Sequence, residues 1–215
     1  MRYCSLGSGS KGNATVIEHG STRLLVDCGF SLRNTERRLA AVGLHASQLT
    51  AILVTHEHSD HVQGVEKLAR RYNLPVYMTA GTRHALGMAS SGVETLALDR
   101  KIEIGELRIE SVAVPHDARE PCQFIIDNDT TRFGLLTDTG MITPWIVERY
   151  QQLDALFLEA NYDPAMLANG PYPSYLKARV GGQHGHLSNQ QAAELLGLTY
   201  DQLRGILRKH GLAGR

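Results

Sequence analysis

Residues 56–61 read His-Glu-His-Ser-Asp-His, and this run narrows the folds open to the chain more than any other feature. Three histidines and an aspartate within six residues form a donor set suited to Zn²⁺, with Mn²⁺ or Fe as further options. The apolar stretch Ala51-Ile52-Leu53-Val54 precedes it. A helical pattern from His61 to Tyr72, with Val62, Val65, Leu68 and Ala69 on one face, follows. The donors therefore fall on a turn at the carboxyl end of a strand, where backbone curvature can aim several side chains at one point. A polar loop carrying surface histidines is the blander reading. Strand, donor-bearing turn and helix in succession call for layered α/β architecture rather than a bundle.

The rest of the chain agrees with that architecture. Thr15-Val16-Ile17, Arg23 to Val26, Pro75 to Met78, Leu107 to Val114, Cys122 to Ile126, Phe133 to Thr137 and Ala155 to Leu158 have strand length and strand composition. Glu18-His19-Gly20-Ser21 reads as a tight turn between two of them, so the first sheet should be rich in hairpins. A further helix is expected over Asn34 to Val42. After about residue 160 the composition shifts. A loop at Asn169-Gly170-Pro171-Tyr172-Pro173 leads to a basic stretch with Lys177 and Arg179, then to Gly181-Gly182-Gln183-His184-Gly185-His186. The remainder looks helical, with no strand. There is no internal repeat or low-complexity segment.

Length and composition set the outer bounds. The 215 residues suffice for one sizeable core, with or without a small appendage. Lys plus Arg and Asp plus Glu each total 22, so bulk charge does not announce a nucleic-acid partner, although a local basic face stays open. Cys4, Cys28 and Cys122 include no C-x-x-C pair, which argues against a disulfide scaffold and suits a reducing compartment. No apolar leader opens the chain, and no run approaches the roughly 18 apolar residues of a membrane span. The expectation is a cytoplasmic protein with no membrane partner.

The pattern H-x-H-x-D-H resembles the signature of the metallo-β-lactamase superfamily. The resemblance implies an αββα sandwich in which His56 and His58 bind one metal while Asp60 and His61 bind a second. It also assigns Asp27, in Leu25-Val26-Asp27-Cys28-Gly29, to support of the site from behind. His116, in Val114-Pro115-His116-Asp117, becomes the third histidine of metal one. Asp138, in Leu136-Thr137-Asp138-Thr139-Gly140, becomes the bridging carboxylate. Four further stretches resemble the bacterial YycJ/WalJ branch: Ser5 to Thr15, Leu158 to Asp163, Asn169 to Pro173, and Gly185-His186-Leu187-Ser188-Asn189. That branch implies exonuclease action on DNA and a link to DNA repair, not β-lactam hydrolysis.

Mechanistic expectations follow from the resemblance. A metal pair would lower the pKa of a bound water and polarise a phosphoryl oxygen. Asp60 is expected to orient that nucleophile or accept its proton. His186 either protonates the leaving oxygen, clamps a phosphate, or merely belongs to the loop before Ser188, a good N-cap for a helix from Gln190 to Leu196. The loop Gly7 to Asn13 either offers N–H groups and Lys11 to phosphates or is only a turn between strands.

The chain departs from the family pattern near its end. The expected last strand and its histidine are not legible after residue 196; His210 lies within a helical pattern. A missing strand predicts a weakly filled second metal site and an open sheet edge, with reduced stability or a homodimer as consequences. Division into a hydrolase domain, 1–187, and a helical hairpin, 188–215, follows. The hairpin resembles a Fis-type helix-turn-helix, with Gly197 at the turn and Thr199 as N-cap of the second helix. It carries Arg204, Arg208, Lys209 and Arg215 against Glu194 and Asp201. An amphipathic hairpin packed on the core is the alternative. Three functions stand: a metal-dependent phosphodiesterase acting on DNA, a thioester or small-ester metallo-hydrolase, and a DNA-binding protein with a relic metal site.

Overall fold

The computed structural model describes residues 1–88 and 92–197, which form two compact units. The first comprises Met1–Ala113, Ala118–Gly134 and Gln152–Ala155. The second comprises Val114–Asp117, Leu135–Gln151 and the described residues from Leu156 to Gly197.

The first unit is built on a six-stranded sheet, in spatial order β1 (Arg2–Gly7), β2 (Ala14–His19), β3 (Thr22–Val26), β4 (Ala51–Leu53), β5 (Val76–Thr79) and β6 (Val93–Leu96). β1, β2 and β3 pair antiparallel. The expected tight turn is present, with His19 opposite Thr22 and two residues between. From β3 to β6 the pairing is parallel, so hairpins give way to crossovers that need helices. These are α1 (Leu32–Ala41), α2 (Ser59–Val62), α3 (Val65–Tyr72) and α4 (Ala80–Leu86). Val16, Leu25, Ile52 and Val76 of the sheet pack with Leu39 of α1 and Leu68 of α3 in one buried cluster. Alternate residues Ile17, Leu24 and Leu53 are equally buried and point to the opposite face. A second sheet has the order β11 (Ala155–Leu158), β10 (Arg132–Leu136), β9 (Cys122–Asp127), β8 (Leu107–Ala113) and β7 (Lys101–Ile104). Tyr3 of β1 stacks on Phe133 of β10 with ring centroids 4.4 Å apart. Each fully buried Leu, Ile or Phe contributes about 1.5–3 kcal/mol.

The boundary between the units cuts β10 and β11. The second unit adds α5 (Pro144–Arg149), α6 (Pro164–Asn169), α7 (Ser174–Val180) and α8 (Asn189–Leu195). Thr143, Asp163 and Ser188 cap α5, α6 and α8, each accepting the backbone N–H three residues on. Ser188 and Gln191 complete a reciprocal capping box, as the sequence suggested for this N-cap.

All eight strand segments anticipated from the sequence are present; β1, β6 and β7 were not anticipated. The helix expected over His61 to Tyr72 is two helices, α2 and α3. At the break the Gly64 N–H donates to the Cys28 carbonyl (2.8 Å), and a Cβ on Gly64 would stand 2.2 Å from the Phe30 oxygen. Close backbone approach therefore replaces one helical turn. Among the described residues no strand follows β11; there is only an isolated bridge between Tyr162 and Ser188. Gly197 is left-handed (φ 67°), as its place at a helix end requires. The helix-turn-helix continuation, with Thr199 and His210, lies outside the described residues. None of the described helices is long and apolar enough to cross a membrane.

Candidate metal centre

The histidine run leaves β4 and enters α2, as its flanking sequence required. Behind it, Asp27 terminates β3 and is 4 % exposed. One carboxylate oxygen accepts the Thr55 N–H (2.9 Å). The other accepts the Thr55 hydroxyl (2.9 Å) and His61 Nδ1 (2.8 Å). The Thr55 hydroxyl, having donated to Asp27, accepts from His56 Nδ1 at 2.9 Å. These bonds set the tautomers. His56 and His61 carry their protons on Nδ1 and keep Nε2 as a lone-pair donor.

His56 Nε2 and His58 Nδ1 lie 3.0 Å apart. Ligands of a tetrahedral zinc sit roughly 3.3 Å apart at ordinary Zn–N lengths, so this pair has the spacing of two ligands on one ion. His61 Nε2 and Asp60 Oδ2 are 3.7 Å apart, with Asn13 Nδ2 near both, at 3.0 and 3.2 Å. Donor chemistry and spacing fit a divalent metal here.

Backbone contacts brace the run. Asn13 N–H donates to Asp60 O (2.8 Å), Gly29 N–H to Asn13 O (2.9 Å) and Cys28 N–H to His61 O (2.7 Å). A Cβ on Gly29 would stand 1.6 Å from the Asp60 oxygen, so only glycine fits. In the Gly7 to Asn13 loop, the N–H groups of Gly9, Gly12 and Asn13 all bond within the protein. The loop acts here as a brace for residues 60–61.

The second unit holds its own cluster. His116, 5 % exposed, donates Nδ1–H to the Gly185 carbonyl (2.9 Å), which leaves Nε2 as the lone-pair donor. Burial lowers its pKa, outweighing Asp138, the Gly185 bond and Asp117, and so favours the neutral form a metal needs. Asp138 follows β10 with φ 50° and lies 3.4 Å from His186 Nδ1. Glu159 follows β11 and accepts His186 Nδ1 (3.0 Å) and the Thr139 N–H (2.7 Å). The ligand atoms of Asp138, Glu159 and His186 all lie within 4.8 Å of one another. Burial alone would depress the His186 pKa, but the Glu159 bond and charge, with Asp138 and Asp117, raise it instead.

Of the expected site residues, His56, His58, Asp60 and His61 stand together in the first unit. His116, Asp138 and His186 stand in the second. Sequence reasoning missed Thr55, Asn13 and Glu159 as working groups. Glu159 had a readable signal: like Asp27 and Asp138, it is an acid just past the end of a strand.

Comparison with known proteins fixes the family. Residues 22–203 match the family model described as beta-lactamase superfamily domain. Exodeoxyribonuclease YycJ of Bacillus anthracis is 35 % identical over 219 aligned residues, covering 98 % of this chain and 82 % of its own. Exodeoxyribonuclease WalJ of Streptococcus pneumoniae serotype 2 is 36 % identical over 203, covering 91 % and 76 %. Among solved structures, Zn²⁺-bound PqqB from Methylobacterium extorquens shares the fold with a TM-score of 0.68 at 20 % identity, covering 86 % of this chain and 71 % of its own. Matched over most of its length and carrying clustered histidine and aspartate donors, this chain belongs to the beta-lactamase superfamily, in its YycJ/WalJ-type branch, and is a metal-dependent hydrolase.

Proposed function

We propose that this chain is a DNA exonuclease that hydrolyses phosphodiester bonds with a metal-activated water. One observation carries the reading: relatives named exodeoxyribonuclease align over 98 % and 91 % of the chain. We assign metal binding to His56, His58, Asp60, His61, His116 and Asp138, with zinc as the ion and Mn²⁺ or Fe as substitutes. The Nε2 lone pairs of His56, His61 and His116, each set by a bond at Nδ1, support this assignment. The metal, when bound, supplies Lewis acidity and a water acidic enough to attack near neutral pH.

The chain's own residues do the rest. The Asp60 carboxylate orients the nucleophile and takes its proton. Asp27 holds His61 through Nδ1 and fixes the direction of its lone pair. His186, hydrogen-bonded to Glu159, which raises its pKa, donates a proton to the leaving oxygen. A role in DNA repair and a cytoplasmic setting complete the proposal; the three free cysteines are in keeping with a reducing compartment.

The test is digestion of end-labelled DNA by the purified chain, resolved on denaturing gels with and without chelator. Stepwise loss from one end, stopped by chelation and restored by Zn²⁺ or Mn²⁺, is the expected result. Intact DNA beside metal-dependent thioester hydrolysis would move the chain to the small-ester reading. Steeply salt-dependent DNA binding without turnover would mark a binding protein with a relic metal site.

A further inference from the structure

The helix pair α6–α7 and its connection have no part in the chemistry assigned above. Neither helix buries a side chain, yet within residues 166–175 three large apolar groups face solvent: Met166 (72 % exposed), Tyr172 (55 %) and Tyr175 (74 %). Single exposed apolar residues are ordinary, but a run of them on one hairpin marks an interaction surface. Tyr172 lies between Pro171 and Pro173, so its backbone is restricted from both sides. Little conformational freedom is left to lose when its ring is covered.

The charge around these rings is one-sided. No acidic residue occurs between Asp163 and Glu194, while Lys177 and Arg179 lie on α7. Lys177 Nζ donates to the Ala168 carbonyl at 2.7 Å, tying the end of α6 to α7. The far end of α7 runs into the cluster of the second unit. The Val180 carbonyl accepts the His186 N–H (2.9 Å), and the Arg179 guanidinium pairs with Asp117, the neighbour of His116. Rings, cations and the proton donor thus belong to one bonded segment.

Flat aromatic faces on a segment that carries cations and no acid of its own between residues 164 and 193 are what an unpaired polynucleotide needs. Bases stack on the rings, and phosphates meet positive charge. We propose that α6–α7 is the platform that grips single-stranded DNA, with Tyr172 and Tyr175 stacking its bases and α7 leading the strand toward His186. The proposal rests on the nuclease reading.

Two paired variants test it, Tyr172→Ala/Tyr175→Ala and Tyr172→Phe/Tyr175→Phe, in the full chain with its metal. The substrates are oligodeoxythymidylate and bis(4-nitrophenyl) phosphate, and the readout is the ratio of their kcat/KM values. Stacking predicts that this ratio falls roughly five-fold or more for each tyrosine removed as alanine, while the phenylalanine pair, which keeps both rings, holds it near wild type. Thermal melts of both variants should overlay the parent, since neither ring is buried. An unmoved ratio in the alanine pair, in a chain that digests DNA, overturns the platform and leaves the nuclease reading intact. A wild-type chain that cleaves the reporter but neither binds nor cuts the oligonucleotide overturns both. A change in association state by light scattering, with the ratio unmoved, overturns it too and assigns the surface to a protein contact.

Discussion

Asp27 adopts φ 60°, a left-handed conformation that costs a non-glycine residue about 1 kcal/mol. It returns that cost through three accepted hydrogen bonds, to the Thr55 N–H and hydroxyl and to His61. Asp27→Ala strands buried donors on Thr55 and His61, so unfolding titrations should show a loss of about 2–3 kcal/mol. The conservative Asp27→Asn should fold but bind metal roughly 10–100-fold more weakly in chelator competition; unchanged affinity would remove Asp27 from the site's support. Cysteine reactivity follows from burial. Burial pushes the Cys28 thiol up to about 11, with Asp27 adding to it against bonds to Thr35 and Phe30. Burial also raises Cys122, beside Asp27, Glu120 and Asp99. Thiol titration of the native protein at pH 8 should therefore reach Cys4 at most, with Cys28 and Cys122 reacting only on unfolding. The residue-scale part of the site legible in sequence was the dense run 56–61, because six adjacent positions hold three histidines and an aspartate. Thr55 and Asn13 were not legible, because their roles arise from partners 28 and 47 positions away.

At the scale of elements, the three strands not anticipated share one property. β1 and β6 are the two edges of the first sheet, and β7 is an edge of the second. Edge strands bury less and rely on ladder bonds to one neighbour, so their sequences carry little apolar alternation. Arg2–Gly7 and Lys101–Ile104 each contain only one buried residue. Interior strands declare themselves by contrast; β2 has five of six residues buried. The division between α2 and α3 has a similar origin. Helical periodicity runs unbroken through residues 61–72, but Gly64 is pressed against Phe30 and Cys28. Gly64→Ala should raise helix propensity locally and still lower the melting temperature, because a Cβ 2.2 Å from the Phe30 oxygen forces a backbone shift costing about 1–3 kcal/mol. An equal or higher melting temperature would mean that the break is set elsewhere.

For the whole molecule, metal and stability should be linked, since ions that bind only the folded chain stabilise it by about 2.7 kcal/mol at a hundred times Kd. Stripping with chelator should lower the melting temperature and abolish hydrolysis, and added Zn²⁺ should restore both. Elemental analysis should find metal bound to the purified chain, lost on chelation and regained on adding Zn²⁺; a chain that holds no metal would overturn the assignment. The amino-acid sequence by itself determined the strand–turn–helix that carries the donors, the interior strands of both sheets and the family. Those features are written in neighbouring residues and in short periodicities. Tertiary structure decided that the Nδ1 atoms of His56 and His116 are taken up by Thr55 and Gly185, that Asp27 rather than another acid sets the tautomer of His61, and that Glu159 raises the His186 pKa. Apart from the bond between adjacent Thr55 and His56, those choices rest on hydrogen bonds between residues distant in sequence. Only a folded backbone brings them within 3 Å, where geometry selects one partner among many.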